Sequence, residues 1–146
     1  MTSVSKRPRK AEIRHVALGH SVLDRDHLEL SRSWSEVASA SPLQFPFFLA
    51  RFRKLMRNHF EREARIMTDH RTTLCECHER EHRDLLQICD RAAEMNRHDF
   101  LAARDLLRAE LPRRIREHII CMDQMLVLFI NTNGPTGGER TDSSSD

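Results

Sequence analysis

The sequence predicts an all-α protein, an antiparallel up-down-up-down four-helix bundle, on three observations. Apolar residues make up 39% and charged residues 32% of the 146, with four Gly and five Pro, a mix that suits long amphipathic helices rather than a turn-rich sheet protein. Apolar side chains recur at helical spacing in four separate segments, the pattern of helices that each bury one face. The connections between those segments are short, which makes neighbouring helices antiparallel. A chain of this length builds one core. Residues 15–131 are expected to form it, between a basic tail over 1–14 and a Gly-, Ser- and Asp-rich tail over 132–146. Neither tail carries enough apolar surface to offset ordering entropy, and both are expected to be disordered.

The first helix is marked by Leu23, His27, Leu30, Trp34 and Val37, with Ser21 or Asp24 near its start and the turn-like SASP after it. The second follows Pro46, a residue at home in a first helical turn. It reads Phe48, Phe52, Leu55, His59, Glu63, Ile66 and Met67, roughly 24 residues or about 36 Å. Thr73 with Glu76 has the form of a capping box and opens the third helix, whose face reads Cys75, His78, His82, Leu85, Leu86 and Cys89. The fourth runs from about Asp99 to Ile130 through Leu107, Leu111, Ile115, His118, Met122, Leu126 and Phe129, with a kink or restart expected at Pro112.

Charge and cysteine content exclude several functions. With 24 Lys and Arg against 22 Asp and Glu, the net charge creates no field for nucleic acid or an anionic membrane. No export signal and no apolar run long enough to span a bilayer are visible, so the protein is expected in the cytoplasm. Its four cysteines, Cys75, Cys77, Cys89 and Cys121, are then expected to be reduced thiols without a structural disulfide.

The histidines carry the chemistry. Each helix sets at least one on its apolar stripe, where Leu, Ile or Val would ordinarily stand. His59 with Glu63 and His78 with His82 are spaced i, i+4, so each pair projects from one side of its helix as a two-point chelate. His27 from the first helix, and His118 with Asp123 from the fourth, complete five imidazoles and two carboxylates aimed inward. Seven donors exceed the four of a closed zinc site. They suit two metals bridged by carboxylates, with nitrogen and oxygen donors appropriate to iron or manganese. A ferritin-like di-iron bundle would show four Glu and two Glu-x-x-His repeats; here only Glu79 and His82 have that form. The run LCECHEREH over 74–82 falls one residue short of the C-x-x-C-H of haem attachment.

At these residues the chain resembles the hemerythrins, specifically the bacterial hemerythrin-like domains. The matching motifs are LDRDH (Leu23 to His27), HFEREARIM (His59 to Met67), CHEREH (Cys77 to His82) and HIICMD (His118 to Asp123), in the family's order. The resemblance implies a non-haem di-iron protein that binds dioxygen reversibly, for storage, delivery or sensing. It implies that His78, His82 and His118 hold one iron and that His27 and His59 hold the other. Glu63, Asp123 and an oxo or hydroxo group bridge the pair, and the second iron keeps a position open for dioxygen. Phe60 and Ile115 match positions that line the family's oxygen pocket, and Ile119 and Met122 are further lining candidates. Asp24, three residues before His27, is either a hydrogen-bond partner of a ligand histidine or a helix-start residue.

The chain departs from the family at Arg114, where many members carry Trp, and in TDHRTT, which lacks the usual Pro and aromatic residues between the second and third helices. The five-residue step from His118 to Asp123 advances about 500° along an ideal helix, so the two side chains do not share a stripe without a local distortion. Cys75 and Cys121 each lie three residues from a ligand histidine. They read as buried, inert thiols or as redox-sensitive neighbours of the site. Two other functional classes stay open: a di-iron enzyme acting on peroxide or nitric oxide, and a regulatory bundle holding zinc or no metal. The absence of Tyr excludes a tyrosyl-radical oxidase, and no nucleophile stands beside a base.

Overall fold

A computed structural model of the chain describes residues 12–13, 16–72 and 76–133. The expected tails, the capping-box residue Thr73, and Cys75 fall wholly or largely outside these residues. The described residues form helices joined by short turns, with no strand among them. Helices α1 (Ser21–Ser39), α2 (Phe45–Asp69) and α3 (Glu76–Met95) are each one rod. The fourth rod comprises α4 (Phe100–His118), a π-helical turn over Ile119–Asp123, and α5 (Gln124–Thr132). Helix α1 packs on α2, α2 on α3 and α3 on α4, giving the antiparallel four-helix bundle.

Local chemistry sets the ends. His20 caps α1, its Nδ1 accepting from the Leu23 amide at 3.4 Å. Pro46 sits in the first turn of α2, where its missing N–H costs no hydrogen bond. The α2 end closes without a proline: Arg71 takes a left-handed conformation at φ 50° while the Thr72 amide donates to the Met67 carbonyl at 3.0 Å, the wrap that satisfies terminal carbonyls. Asp99 caps α4 by accepting from the Ala102 amide at 2.9 Å.

Two expectations are corrected. Helix α4 does not restart at Pro112, which lies buried within it; the irregularity falls at Ile119–Asp123 instead. Ile13, placed in the tail by the sequence reading, is buried against the core, and its carbonyl accepts from the Ser31 hydroxyl at 2.6 Å.

The core divides along the bundle. Its larger part is apolar, built around Trp34 and Phe52, whose rings lie 5.8 Å apart, and around Phe45 edge-on to Phe100 at 5.3 Å. A smaller cluster of Leu23, Met67, Leu126 and Val127 closes the opposite end. Between the two lies a layer of buried histidines and carboxylates. No helix among the described residues is long and apolar enough to cross a membrane.

The cysteines correct a further expectation. Cys77 is disulfide-bonded, whereas Cys89 and Cys121 are free. The expectation of reduced thiols rested on cellular compartment alone. Cys121 is exposed and Cys89 buried, so the buried-thiol reading fails for Cys121. Burial pushes the Cys89 thiol up to about 12, which removes the reactive thiolate at neutral pH. Iodoacetamide at pH 8 should therefore label Cys121 and leave Cys89 unmodified in the folded protein; mass spectrometry finding equal labelling would contradict this placement.

Candidate metal centre

The layer between the two apolar regions contains all seven donors singled out in the sequence: His27 on α1, His59 and Glu63 on α2, His78 and His82 on α3, His118 on α4 and Asp123 on the π turn. All are buried. They fall into two groups whose donor atoms lie within 4.8 Å of one another: Glu63, His78, His82, His118 and Asp123 in one, and His27, His59, Glu63 and Asp123 in the other. Both carboxylates belong to both groups.

The way they are shared is specific to each oxygen. Asp123 Oδ1 lies 3.0 Å from His118 Nε2 and 3.4 Å from His78 Nε2. Its Oδ2 lies 2.9 Å from His27 Nε2 and 3.7 Å from His59 Nε2. Glu63 does the same from the opposite side. Its Oε2 lies 2.9 Å from His82 Nε2 and 3.4 Å from His78 Nε2, and its Oε1 lies 3.5 Å from His59 Nε2. Each carboxylate thus turns one oxygen to the three-histidine group and the other to the two-histidine group.

The π turn makes this possible. Its defining bond runs from the Gln124 amide to the Ile119 carbonyl, a five-residue step. One extra residue in the turn rotates Asp123 back over His118, the distortion that the spacing demanded, and such turns recur at functional sites.

Short distances here do not amount to a hydrogen-bonded network. Both Glu63 oxygens, Asp123 Oδ1 and His78 Nε2 are buried without a hydrogen-bond partner among the described residues, despite neighbours within 3.5 Å. Even two acceptor-capable nitrogens, His82 Nε2 and His118 Nε2, approach to 3.1 Å. Buried polar atoms are otherwise almost always paired. Donors that converge on common points, rather than on each other, fit metal ions. The electrostatics agree. Burial pulls His59 and His78 down, but the facing Asp123 and Glu63 carboxylates, joined at His59 by Asp26, outweigh it and hold these imidazoles at about 10 and about 9. Burial would raise Asp123, yet contacts with four imidazoles hold it well below the usual range. Glu63 is lowered in the same way by His78, His82 and His59. His82 is pushed down by burial and by its imidazole neighbours His118 and His78. In the metal-free chain, protons supply the positive charge that the two carboxylates require.

A cavity of about 10 Å³ abuts the cluster, room for about one water-sized molecule. It touches the imidazoles of His27, His59 and His118, and its other walls are Leu30, Met56, Phe60, Leu85, Ile115 and Ile119 beside Asp123. Phe60, Ile115 and Ile119, singled out in the sequence, are thus among its walls. Met122 does not, because the π turn moves it off the inward face, where it is only half-buried. Leu30, Met56 and Leu85 were missed as lining, since a stripe position alone does not separate core packing from cavity wall. Phe60 also stacks on the His82 ring at 3.9 Å between centroids. Arg114 leaves the cavity apolar: its guanidinium faces Glu81 at 3.4 Å and Asp84 at 3.5 Å on α3.

The role considered for Asp24 beside a ligand histidine is also corrected. Its carboxylate accepts from the Leu18 amide at 2.7 Å and the Gly19 amide at 3.1 Å, fastening the segment that leads into α1. The acid that reaches a donor histidine is Asp26, whose Oδ2 accepts from His59 Nδ1 at 3.2 Å. A signal for it existed: Asp26 stands three residues after Leu23 and four before Leu30, a charged residue on an apolar stripe.

The chain is 27% identical over 122 residues to a bacteriohemerythrin of Ralstonia nicotianae, an alignment covering 84% of this chain and 89% of that protein. No family model and no solved structure matches the chain.

Proposed function

We propose that this hemerythrin-like metal-binding bundle is a non-haem di-iron protein that binds dioxygen reversibly. His78, His82 and His118 would hold one iron and His27 and His59 the other, with Glu63 and Asp123 bridging them and an oxo or hydroxo group completing the bridge. The observation that carries the reading is the division of labour within each carboxylate, one oxygen to each histidine group. The cavity supports the second half of it, because it lies against both histidines of the group with fewer protein donors. Bound ferrous iron would supply the reducing electrons for reversible oxygen binding.

The chain's own residues do the rest. Glu63 and Asp123 bring two negative charges to offset the metal charge. Leu30, Met56, Leu85, Ile115 and Ile119 keep water and reductants from the cavity, and exclusion of both favours release over further reaction. No lysine, arginine or hydroxyl side chain lines the cavity, which leaves no proton donor other than imidazole for turnover. This supports carriage or sensing over catalysis on peroxide or nitric oxide.

The test is anaerobic reconstitution with ferrous iron followed by exposure to air. The expected result is one iron per donor group and a visible absorption that appears with oxygen and bleaches when oxygen is removed. Rapid irreversible oxidation accompanied by peroxide consumption would instead assign an enzyme, and purification with zinc alone would assign a regulatory bundle.

A further inference from the structure

Among the described residues, Asp26 is the one buried acid that belongs to neither donor group. It lies on α1 immediately before His27, yet its carboxylate serves α2. Asp26 Oδ2 accepts from His59 Nδ1 at 3.2 Å and from Arg62 Nε at 2.6 Å. Arg62, about a third exposed, immediately precedes Glu63. The triad Arg62, Asp26, His59 therefore runs from the protein surface to the two-histidine group and ties α1 to α2 at the level of the ligands.

Resting on the two-metal reading above, we infer that Asp26 is the positioning residue of the two-histidine metal position. Its carboxylate holds the proton on His59 Nδ1, which leaves Nε2, the atom facing the Glu63 and Asp123 oxygens of this group, as the one that would bind an ion. An outer carboxylate also strengthens the imidazole as a donor. The support is unequal. Within the same group His27 Nδ1 is buried without a partner among the described residues, as is His118 Nδ1 in the other. Arg62 in turn fixes the carboxylate, so the Asp26 rotamer and the His59 ring plane are set together. Asp26 acts through His59 and touches neither the cavity nor the donor atoms of the three-histidine group.

Titration of the metal-free protein with cobalt(II), followed by its visible absorption, tests this. Wild type should show two binding steps, one for each donor group. Asp26→Leu, branched at the same carbon and unable to accept, should weaken one step by about 10- to 100-fold and leave the other unchanged. Asp26→Asn should recover most of the loss, since its amide oxygen still accepts from Nδ1. In the metal-free protein, NMR should show a hydrogen-bonded ring N–H resonance that Asp26→Leu removes and Asp26→Asn keeps. Equal weakening of both steps, or no change in either, would overturn the assignment. A wild-type chain that takes up fewer than two ions overturns the two-metal reading itself, and the N–H resonance then decides separately whether Asp26 holds His59.

Discussion

Asp123→Ala should abolish uptake of both metal ions, whereas His78→Ala should remove one and spare the other. The difference follows from which atoms face which group. His78 contributes Nε2 to the three-histidine group alone, so the second group retains His27, His59 and both carboxylates. Asp123 supplies an oxygen to each group, and its removal leaves the smaller one with two imidazoles and the single Glu63 oxygen near His59. It also strips half of the compensating negative charge from a fully buried site, where an ion without counter-charge is heavily penalised. The expected loss of affinity at each position exceeds the 10- to 100-fold typical of an outer partner, so about a hundredfold is the lower bound. The readout is metal content by plasma mass spectrometry after loading and desalting, with far-UV circular dichroism confirming that the helices remain. Because the buried side chain becomes smaller, Asp123→Asn provides a matched variant that keeps its shape and loses only the charge. Retention of one ion by both Asp123 variants would show that Asp123 does not bridge.

The sequence showed this site more clearly than it showed the segments around it, and the reason is physical. Ligand spacing at i, i+4 survives in any straight helix, so His59 with Glu63 and His78 with His82 could be paired without knowing the fold. The apolar stripes around them sorted the remaining donors onto inward faces. What helical spacing could not supply was the path of the chain between His118 and Asp123, since a π turn changes the residue-to-angle relation that the stripes rely on. The same turn explains the error at Met122, which an ideal helix would have placed inward. Asp26 was missed, and Asp24 was left between two roles, for a related reason. Both lie within four residues of His27, and only the packing of α1 against α2 reveals that the nearer acid reaches across to His59 while the farther one folds back onto Leu18 and Gly19. Pro112 carries the opposite lesson: local propensity expected a kink or restart, and the helix runs on through a buried proline without restarting.

Removing metal should cost the bundle a large part of its thermal stability. In the metal-free state, two buried carboxylates face five imidazoles, and several of their atoms have no hydrogen-bond partner among the described residues. Ions that bind only the folded chain stabilise it by mass action, about 4 kcal/mol per site at a free concentration a thousandfold above Kd. Two such sites give about 8 kcal/mol, and at roughly 2–4 °C per kcal/mol for a domain of this size the melting temperature should rise by roughly 15–30 °C. The gain should also grow as pH rises from 7 toward 9. His59 and His78 are held at about 10 and about 9 in the metal-free fold, above their unfolded value. The stability their protonation contributes is full below about 6.5 and is lost as pH climbs through the folded values. The metal-free melting temperature therefore falls over this window, while the metal-loaded form no longer has those protons to lose. Calorimetry of loaded and chelator-treated protein at three pH values reads both effects. A shift of only a few degrees that stays constant with pH would mean that the buried cluster is a self-sufficient ion-pair network, with no need of the ions its geometry otherwise demands.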